Sequence, residues 1–294
     1  MEDFYKPLAR RKPDSQYKNV LRFVLEQGEL VKDTPQGNGA WTCFGNAPDM
    51  VFDLSNGIPM ITERKIGAKM PIAEILAFIH GERIIDKIEE WGCPFWNDYK
   101  GKGTELGLDP NDLGPGSYGA AFAAYPKPDG TTLDQFKQLV EQIRHYPTVR
   151  TLRVTSWVPF YTARGPDRKV IVAPCHGDTY WRVMNNRLHM TMVQRSADLP
   201  IGVPHNMVQY AAMHLMMCRA TGYEPGLYVH KFVDAHIYES QVGHVHEILT
   251  RAARPFPILQ LDPKVKDFFD FRPEHFTVEE YNPQPAIKGI PYFP

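Results

Sequence analysis

One cysteine in the sequence stands where a nucleophile could act. Cys175 lies in the motif A-P-C-H at 173–176, after a β-branched stretch at 170–173 that predicts a strand. A thiol at the end of a strand can reach a substrate, although most lone cysteines are buried structural residues. On an extended backbone His176 points to the opposite face, which makes it a poor base for Cys175. A cysteine hydrolase needs a histidine within hydrogen-bond reach, so this spacing argues against that class.

A second group of polar residues follows at 194–206, in the sequence QRSADLPIGVPHN. Arg195 can lower the pKa of a neighbouring thiol or bind a phosphate through two hydrogen bonds, and it can equally form an ordinary ion pair with an aspartate. Asn206 falls in the first turn of a predicted helix, where its carboxamide offers a donor and an acceptor. That combination suits the O4 and N3 edge of a uracil, although such a residue is often satisfied locally.

A third group is D-A-H-I-Y at 234–238. Because side chains alternate along an extended backbone, Asp234, His236 and Tyr238 point to one side. A histidine and a tyrosine on one side can share a sugar hydroxyl, and a buried polar network explains the pattern about equally well.

The sequence gives little support for a metal site or for a phosphate-binding loop. His244 and His246 are two residues apart on a predicted helix and do not face each other. The turn at 37–39 is not followed by the GK[ST] sequence of a phosphate loop. The four cysteines contain no C-x-x-C pair, which excludes a zinc ribbon and argues against a disulfide framework. We therefore predict no bound metal.

Helices and strands alternate along the chain. Apolar residues at helical spacing predict helices over 15–27 with Ser15 as the cap, 71–91 with Pro71 in the first turn, and 204–221. Stretches rich in β-branched residues predict strands over 151–158, 170–173, 178–184, 187–195 and 227–234, with Asn185-Asn186 closing a hairpin. This order predicts an α+β fold, in which helices pack against one mixed or antiparallel sheet.

Two segments rich in glycine and proline interrupt the pattern. The segment 101–119 predicts a long surface loop. The segment 281–294 predicts an extended tail that cannot be helical, because its prolines lack donors. Such a tail is usually frayed, and it can instead fold down as a lid.

Composition limits the function classes. The chain has 294 residues, 33 Lys plus Arg, 34 Asp plus Glu and 43% hydrophobic residues, giving a net charge of −1. That apolar content supports a deep core in one large domain or two ordinary ones and excludes a mainly disordered chain. Near-zero charge argues against a dedicated nucleic-acid partner. The polar start and the lack of a long apolar run predict a cytoplasmic protein without a membrane segment.

Taken together and in order, these groups resemble the thymidylate synthase family. The best blocks are APCH at 173–176, QRSADLPIGVPHN at 194–206, DAHIY at 234–238 and ARPFP at 253–257. The similarity runs from about residue 17 to the C-terminus. It implies a single domain over 1–294, a mixed sheet that forms the interface of a homodimer, and a tail at about 281–294 that closes over a folate.

The resemblance also implies a chemistry. Carbon C5 of a uracil is a poor nucleophile, and addition of a thiolate to C6 makes C5 reactive, which requires a covalent cysteine. The implied substrate is dUMP or a related pyrimidine nucleotide, and the implied cosubstrate is 5,10-methylenetetrahydrofolate. The implied catalytic residues are Cys175, Glu74, Arg195, Asp198, Tyr118 and His176. The implied nucleotide-binding residues are Arg195, Ser196, Asn206, His236, Tyr238 and, from the partner subunit, Arg150; those for the folate are Trp96, Asp198 and Gly202.

Several positions depart from the family pattern. Pro35 stands where the N-terminal loop normally carries a phosphate-binding arginine, and the arginine pair near 150 is reduced to Arg150-Thr151. Ala77 and His205 replace a tryptophan and a phenylalanine, and the tail ends in YFP. We expect Arg153, Arg164 or Arg168 to replace the lost phosphate contacts.

Two products share all early steps. Hydride transfer gives a methyl group, whereas addition of water gives a hydroxymethyl group, and exclusion of water decides between them. Trp96, Tyr118 and Asp198 favour methylation of dUMP to dTMP. Ala77, His205 and the altered tail leave room for water, so hydroxymethylation of dUMP is the alternative. A noncatalytic relative that binds a nucleotide or RNA is a more remote one.

Overall fold

The chain folds as a mixed β-sheet with helices packed against it, in a computed structural model that describes residues 4–293. The strands are β1 Glu29–Val31, β2 Ala40–Phe44, β3 Met50–Asp53, β4 Tyr125–Pro126, β5 Thr132–Leu133, β6 Arg153–Val154, β7 Asp178–Met184, β8 Arg187–Asp198, β9 Glu224–Tyr238, β10 Ile258–Leu261 and β11 Phe276–Glu279. The helices are α1 Gln16–Gln27, α2 Lys69–Ile79, α3 Ile85–Glu90, α4 Tyr118–Ala123, α5 Gln135–His145, α6 Pro159–Thr162, α7 Gly202–Thr221 and α8 Val242–Thr250. The predicted α+β class is confirmed.

The main sheet places two of the predicted polar groups side by side. Its strand order is β1-β2-β9-β8-β7-β6, and β3 also pairs with β9. Strands β8 and β9 run parallel and are joined through α7, as a parallel pair requires a long crossover connection. In their register Ser196 lies opposite Asp234, and Asp198 lies opposite His236. The blocks 194–198 and 234–238 therefore meet at one end of the sheet.

The sequence predicts a hairpin and a strand around this pair, and both are present. Asn185 and Asn186 have φ of 50° and 60°, and they connect β7 to β8 in antiparallel register. Both residues adopt the left-handed backbone conformation, which a two-residue hairpin turn of this kind requires. Strand β9 is longer than the predicted 227–234 and includes 234–238 as its last residues.

The predicted central helix is confirmed as α7. It is buried almost all round and ends at Gly222, whose φ of 81° is the left-handed geometry of a helix C-terminus. It begins at Gly202, two residues before the predicted Pro204, so Asn206 lies just past the first turn. Helix α7 packs on β8, β9 and α2, and the buried side chains of all these elements belong to one continuous apolar cluster.

The single helix predicted over 71–91 is wrong, because two helices occupy this stretch. Helix α2 ends at Ile79 and α3 begins at Ile85. Between them Gly81 has φ of 87°, a conformation that interrupts a right-handed helix. Helix α1 forms as predicted, but Ser15 does not cap it; the Asp14 side chain accepts from the Gln16 amide at 2.8 Å instead.

Two predicted strands are absent or shortened. Residues 170–173 form an irregular loop rather than a strand. Cys175 lies in the same loop, because β7 begins only at Asp178, after Pro174 and a turn at Gly177 (φ 107°). The strand predicted over 151–158 is reduced to β6. The side chain of Gln135 takes the place of a neighbouring strand there, since it bonds both the amide and the carbonyl of Thr155.

The surface loop predicted at 101–119 is also wrong in part. A short 3-10 helix spans Lys102–Leu106, and residues 112–114 and 116–118 are buried. Tyr118 begins α4, which places this tyrosine inside the protein.

The C-terminal tail is extended, as predicted, and it lies against the rest of the chain. The Gln284 amide donates to Thr62 O at 2.7 Å, and Gln241 donates to Pro291 O at 2.8 Å. Residue 294, the last of the predicted tail, lies outside the described residues. Within residues 4–293, no helix is both long enough and apolar enough to cross a membrane.

Candidate active site

A cavity of about 1330 Å³ opens at the end of the sheet where β8 and β9 meet. Twelve of the thirteen catalytic and binding residues that the family resemblance implies line it, and the thirteenth, Arg150, is exposed outside this lining. The twelve are Glu74, Trp96, Tyr118, Cys175, His176, Arg195, Ser196, Asp198, Gly202, Asn206, His236 and Tyr238. The structure thus brings together residues from α2, α4, α7, β8, β9 and two loops, one with Trp96 and one with Cys175 and His176.

Cys175 is partly exposed to this cavity, whereas the other three cysteines are buried and all four are free. Its Sγ lies 3.6 Å from Arg195 Nη2. Burial raises the pKa of the Cys175 thiol, while the Arg195 charge and hydrogen bonds with Tyr118 and Ser196 lower it. The site can therefore stabilise a thiolate once the arginine is held in place.

The backbone around Cys175 holds that arginine. Arg195 Nε donates to Pro174 O at 2.8 Å, and its Nη2 donates to Ala173 O at 2.9 Å. The amide of Arg195 also donates to Cys175 O at 2.8 Å. These bonds tie the loop of the cysteine to β8, and they occupy Arg195 in place of the ion pair with Asp198 that the sequence left open.

His176 is a neutral, half-buried partner of two tyrosines. Its Nδ1 lies 2.7 Å from Tyr210 Oη, and its ring stacks on Tyr118 with centroids 4.6 Å apart. Burial and then the Arg195 charge lower the pKa of His176 to about 3. This histidine is engaged away from the Cys175 thiol, and the geometry gives the cysteine an arginine rather than a base.

Glu74 is a buried carboxylate on α2 that faces the cavity. Trp96 Nε1 donates to its Oε1 at 2.7 Å, and Gln209 Nε2 donates to its Oε2. Burial raises the pKa of Glu74 to about 7, against the opposing effect of these two hydrogen bonds. A carboxyl group with that pKa can give or take a proton near neutrality.

Asn206 presents its carboxamide to the same cavity. Its Nδ2 donates to Gln209 Oε1 at 2.7 Å, and its Oδ1 accepts from Gln194 Nε2 at 3.0 Å. An amide carries two hydrogens on nitrogen and two lone pairs on oxygen. One donor and one acceptor of Asn206 thus stay available for a ligand.

His236 and Tyr238 lie on one side of β9 and line the cavity together with Asp234. His236 Nδ1 is 3.0 Å from Asp234 Oδ1, and the rings of His236 and Tyr238 are 5.2 Å apart. The predicted shared orientation of these three side chains is confirmed.

The model of the family described as thymidylate synthase matches residues 15–291. The chain belongs to the thymidylate synthase family. This thymidylate synthase family member is therefore a transferase that moves a one-carbon unit to a pyrimidine nucleotide, and the family takes that unit from methylenetetrahydrofolate.

Two of the three arginines expected to replace the lost phosphate contacts line the cavity of this thymidylate synthase family member. They are Arg164 and Arg168, which line the same cavity as Pro35 and Arg195. Arg168 Nη2 donates to Ile171 O at 3.1 Å, and its buried Nε has no hydrogen-bond partner among the described residues. Arg153 instead pairs with Asp178 at 3.5 Å and lies over the Tyr180 ring.

The other side of the cavity is aromatic. Trp96 packs edge-on against Phe78, and Phe95 stacks on His205 with centroids 5.5 Å apart. Ala77 is fully buried and lies outside the lining, so the loss of a larger residue there does not widen the cavity. His205 fills its position with a neutral ring, since burial lowers its pKa to about 4.

The tail of the thymidylate synthase family member reaches this aromatic side. Tyr292 Oη donates to Asp98 Oδ2 at 2.6 Å, and the Phe293 ring lies 4.5 Å from that of Tyr238. Gln241 links the tail to Asp198, because its Nε2 donates to both carboxylate oxygens at 3.2 Å and to Pro291 O.

Sequence reasoning missed three polar residues of the site. Gln194 precedes Arg195 in the sequence motif, and Gln209 and Tyr210 fall within a helix that the sequence predicts to be apolar nearly all round. The one available signal was spacing, since Gln209 follows Asn206 by three residues and must share its helix face. Across residues 4–293, no group of three or more His, Cys, Asp or Glu side chains could hold a metal ion.

Proposed function

We propose that this protein converts dUMP to dTMP by reductive methylation, through a covalent bond between Cys175 Sγ and C6 of the uracil. The observation that carries the proposal is the 3.6 Å approach of Arg195 Nη2 to Cys175 Sγ at the wall of a large cavity. A fixed positive charge beside a thiol favours the thiolate, which is the attacking form. Addition at C6 places electron density on C5 and O4, and C5 then attacks the one-carbon unit. Loss of the C5 proton and of the bond between the one-carbon unit and the folate nitrogen leaves an exocyclic methylene on C5. Hydride from the folate reduces that methylene to a methyl group as the sulfur leaves C6, which frees Cys175 and gives dihydrofolate.

The base is held by Asn206 and Glu74 in this proposal. The free N–H of Asn206 donates to O4, and its free lone pair accepts from N3–H. Glu74, whose pKa is raised to about 7 by burial, exchanges protons with O4 as charge develops there. The arrangement suits uracil rather than cytosine, which presents an acceptor at N3 and a donor at C4.

The sugar and the phosphate take the polar side of the cavity. His236 and Tyr238 hold the 3′-hydroxyl, and Arg195 and Ser196 bind the phosphate. Arg168 joins them, because its buried Nε lacks a partner and a phosphate oxygen would supply one. Arg150 is exposed in this chain and reaches the phosphate of the partner subunit in the proposed homodimer.

The remaining space fits a folate. The cavity is about 1330 Å³, which exceeds the ~300–1,000 Å³ typical of a site for one small ligand. Trp96 offers an aromatic surface, and Asp198 offers a buried acceptor, for the flat, donor-rich ring of a folate. Methylenetetrahydrofolate supplies the one-carbon unit and, for methylation, the hydride. Gly202, also in the lining, leaves room beside that ring.

Exclusion of water favours methylation over hydroxymethylation. The tail covers the aromatic side through Tyr292 and Phe293, and the ring of His205 stacks on Phe95 rather than leaving a gap. The alternative product, a 5-hydroxymethyl nucleotide, has support from the polar imidazole of His205 in the lining, which could hold a water where an apolar ring could not.

The outer face of the sheet supports a homodimer. A row of residues that pair in the strand register crosses this face: Val51 on β3, Val229 on β9, Thr191 on β8 and Tyr180 on β7. Val51 and Tyr180 are large apolar side chains on this face of the sheet, and they are 43% and 45% exposed. A second copy of the chain would cover this row. Val229→Glu should then give a monomer in sedimentation velocity.

Mass spectrometry of the products tests the proposal. The enzyme is incubated with methylenetetrahydrofolate and with dUMP, dCMP, UMP or CMP in turn. We expect dTMP from dUMP, together with dihydrofolate seen as a rise in absorbance. A hydroxymethyl product would establish the alternative, and binding of dUMP without turnover would establish a noncatalytic relative. A covalent adduct of 5-fluoro-dUMP on the peptide of Cys175 tests the attacking atom separately.

A further inference from the structure

Gln209 joins the two residues that face the pyrimidine ring in the proposed function. It lies on α7, three residues after Asn206, and is fully buried. Its Nε2 donates to Glu74 Oε2, and its Oε1 accepts from Asn206 Nδ2 at 2.7 Å. The side chain thus uses both ends of its amide inside the site, although it does not line the cavity itself.

The hydrogen bonds around Gln209 have one consistent direction. Glu74 as a carboxylate only accepts, so the nitrogen of Gln209 faces it and the oxygen of Gln209 faces Asn206. The nitrogen of Asn206 must therefore point to Gln209. A rotated Asn206 amide would direct its oxygen at the oxygen of Gln209 and leave both acceptors buried without a donor.

A second series of bonds agrees with that direction. Gln194 Nε2 donates to the backbone carbonyl of Ser196 at 3.1 Å and to Asn206 Oδ1 at 3.0 Å. Gln194 Oε1 in turn lies 2.8 Å from His230 Nε2. Asn206 is therefore held at its oxygen by Gln194 and at its nitrogen by Gln209.

Gln209 also sets what Glu74 presents to the cavity. Trp96 and Gln209 each occupy a lone pair on a different oxygen of the carboxylate. Any proton carried by Glu74 must then sit on a remaining lone pair. Gln209 is thus the one hydrogen-bonding partner that the two groups meeting the base, the amide of Asn206 and the carboxyl of Glu74, have in common.

We propose that Gln209 is a specificity-determining positioning residue, which fixes the direction of the Asn206 amide from Glu74 so that the site accepts a 4-oxo pyrimidine and rejects a 4-amino one. The inference rests on the proposed function. The burial of Gln209 supports it, because most of α7 around this position is apolar and packing alone needs no amide there. Gln209 acts through Asn206 and Glu74 and touches no substrate.

The test compares dUMP and dCMP in the full-length protein and two variants. Gln209→Met keeps the length of the side chain but removes both bonds, and we expect the ratio of kcat/KM for dUMP to that for dCMP to fall at least about tenfold. Gln209→Glu keeps an oxygen that accepts from Asn206 Nδ2. It should retain most of the ratio even if kcat falls, because two carboxyl groups then share the space beside Glu74. Dissociation constants of the two nucleotides, measured by calorimetry, give the same comparison without turnover.

Gln135→Met is the matched control. Gln135 is also a buried glutamine, but its amide bonds backbone groups of Ala121 and Thr155 outside the cavity. This variant should lose stability and keep the nucleotide ratio. If Gln209→Met does not fold, Gln209→Ala removes the same bonds with a smaller side chain.

The outcomes separate the inference from the proposed function. An unchanged ratio in Gln209→Met, or in Gln209→Ala where the methionine variant does not fold, would overturn the inference while the wild-type preference for dUMP stands. The inference would also be overturned if Gln209→Glu lost as much of the preference for dUMP over dCMP as Gln209→Met does. Gln209→Glu still presents an acceptor to Asn206, so the preference should be retained there. A wild-type protein that neither binds nor converts dUMP would instead contradict the proposed function.

Discussion

Arg195 lies 3.6 Å from the sulfur of Cys175 and is held there by the carbonyl oxygens of Pro174 and Ala173. Its charge is thus fixed relative to the thiol by the same loop that carries the thiol. Arg195→Lys keeps the charge but loses the planar fork that makes these bonds. We expect the alkylation of Cys175 by iodoacetamide at pH 7.5 to slow by about tenfold, which corresponds to a thiol pKa about one unit higher.

Peptide mapping after alkylation reads this effect at Cys175 itself, because the other cysteines are buried. Arg187→Lys is the control. Arg187 also lies on β8, but its Nε donates to Pro225 O at 3.0 Å and its Nη2 lies near Asp53. Equal alkylation rates in the Arg195 variant and the wild type would show that the arginine does not activate the thiol.

Burial of Glu74 makes the stability of the protein depend on pH. Its pKa is raised from 4.5 to about 7, so below pH 4.5 both the folded and unfolded states are protonated. As pH rises from 4.5 to 7 only the unfolded state ionises, and the folded state loses stability until the change levels off above pH 7. The loss is on the order of 3 kcal/mol. Glu74→Gln lacks this titration and should not show the loss.

Urea unfolding of both proteins at several pH values between 4.5 and 8 measures the difference. The unfolding free energy of Glu74→Gln minus that of the wild type should grow with pH over this range, whatever constant offset the new amide introduces. Two parallel curves would contradict a raised pKa of Glu74. The variant should also lose activity by about 10²–10⁴-fold, as expected for removal of a proton-transfer group.

The parts of the fold that sequence predicts best are those with local causes. The hairpin at Asn185-Asn186 follows from two residues that tolerate positive φ, and the shared side of Asp234, His236 and Tyr238 follows from the alternation along a strand. The end of α7 follows from Gly222. None of these needs knowledge of distant contacts.

The parts that sequence misses depend on contacts between distant segments. The strand predicted at 170–173 is a loop, because the Ile171 amide donates to Leu113 O and Ala173 O accepts from the Arg195 side chain, so that neither group pairs with a neighbouring strand. The strand over 151–158 is cut short by the side chain of Gln135. The link from Gln209 to Glu74 exists only because α7 packs on α2. Apolar patterning carries no information about these pairings.

Arg168 should take over phosphate binding from the arginine that is missing at Pro35. Its buried Nε has no protein partner in the described part of the chain, and it lines the cavity with Arg195. Arg168→Ala should raise the KM for dUMP about tenfold or more and change kcat little, because a charge-assisted bond to the phosphate contributes about 1.5–3 kcal/mol. Arg164→Ala should have a smaller effect, since Arg164 is the more exposed of the two.

Initial rates with dUMP and with deoxyuridine distinguish a phosphate contact from a structural defect. The effect of Arg168→Ala on KM should vanish with deoxyuridine, which has no phosphate. Arg144→Ala is the control, since Arg144 lies on α5 and bonds Ala220 O outside the cavity. If the KM for dUMP is unchanged in Arg168→Ala, some other group binds the phosphate.

The tail is held over the cavity by the bond between Tyr292 and Asp98, which is 2.6 Å long. Tyr292 is 57% exposed, so the bond competes with water and its removal should have a modest effect. Tyr292→Phe should raise the KM for the folate several-fold and increase the share of hydroxymethyl product, because a looser tail admits water. Product ratios by mass spectrometry and folate saturation curves measure the two effects.

A double-mutant cycle with Asp98 decides whether this bond is responsible. We expect Tyr292→Phe and Asp98→Ala each to raise the KM for the folate and the share of hydroxymethyl product. The double variant should show little more than either single variant, since both substitutions remove the same interaction. Tyr146→Phe, at another exposed tyrosine on the surface, should alter neither the folate KM nor the product ratio. Additive effects at Tyr292 and Asp98 would mean that the two residues act independently and that their bond does not hold the tail closed.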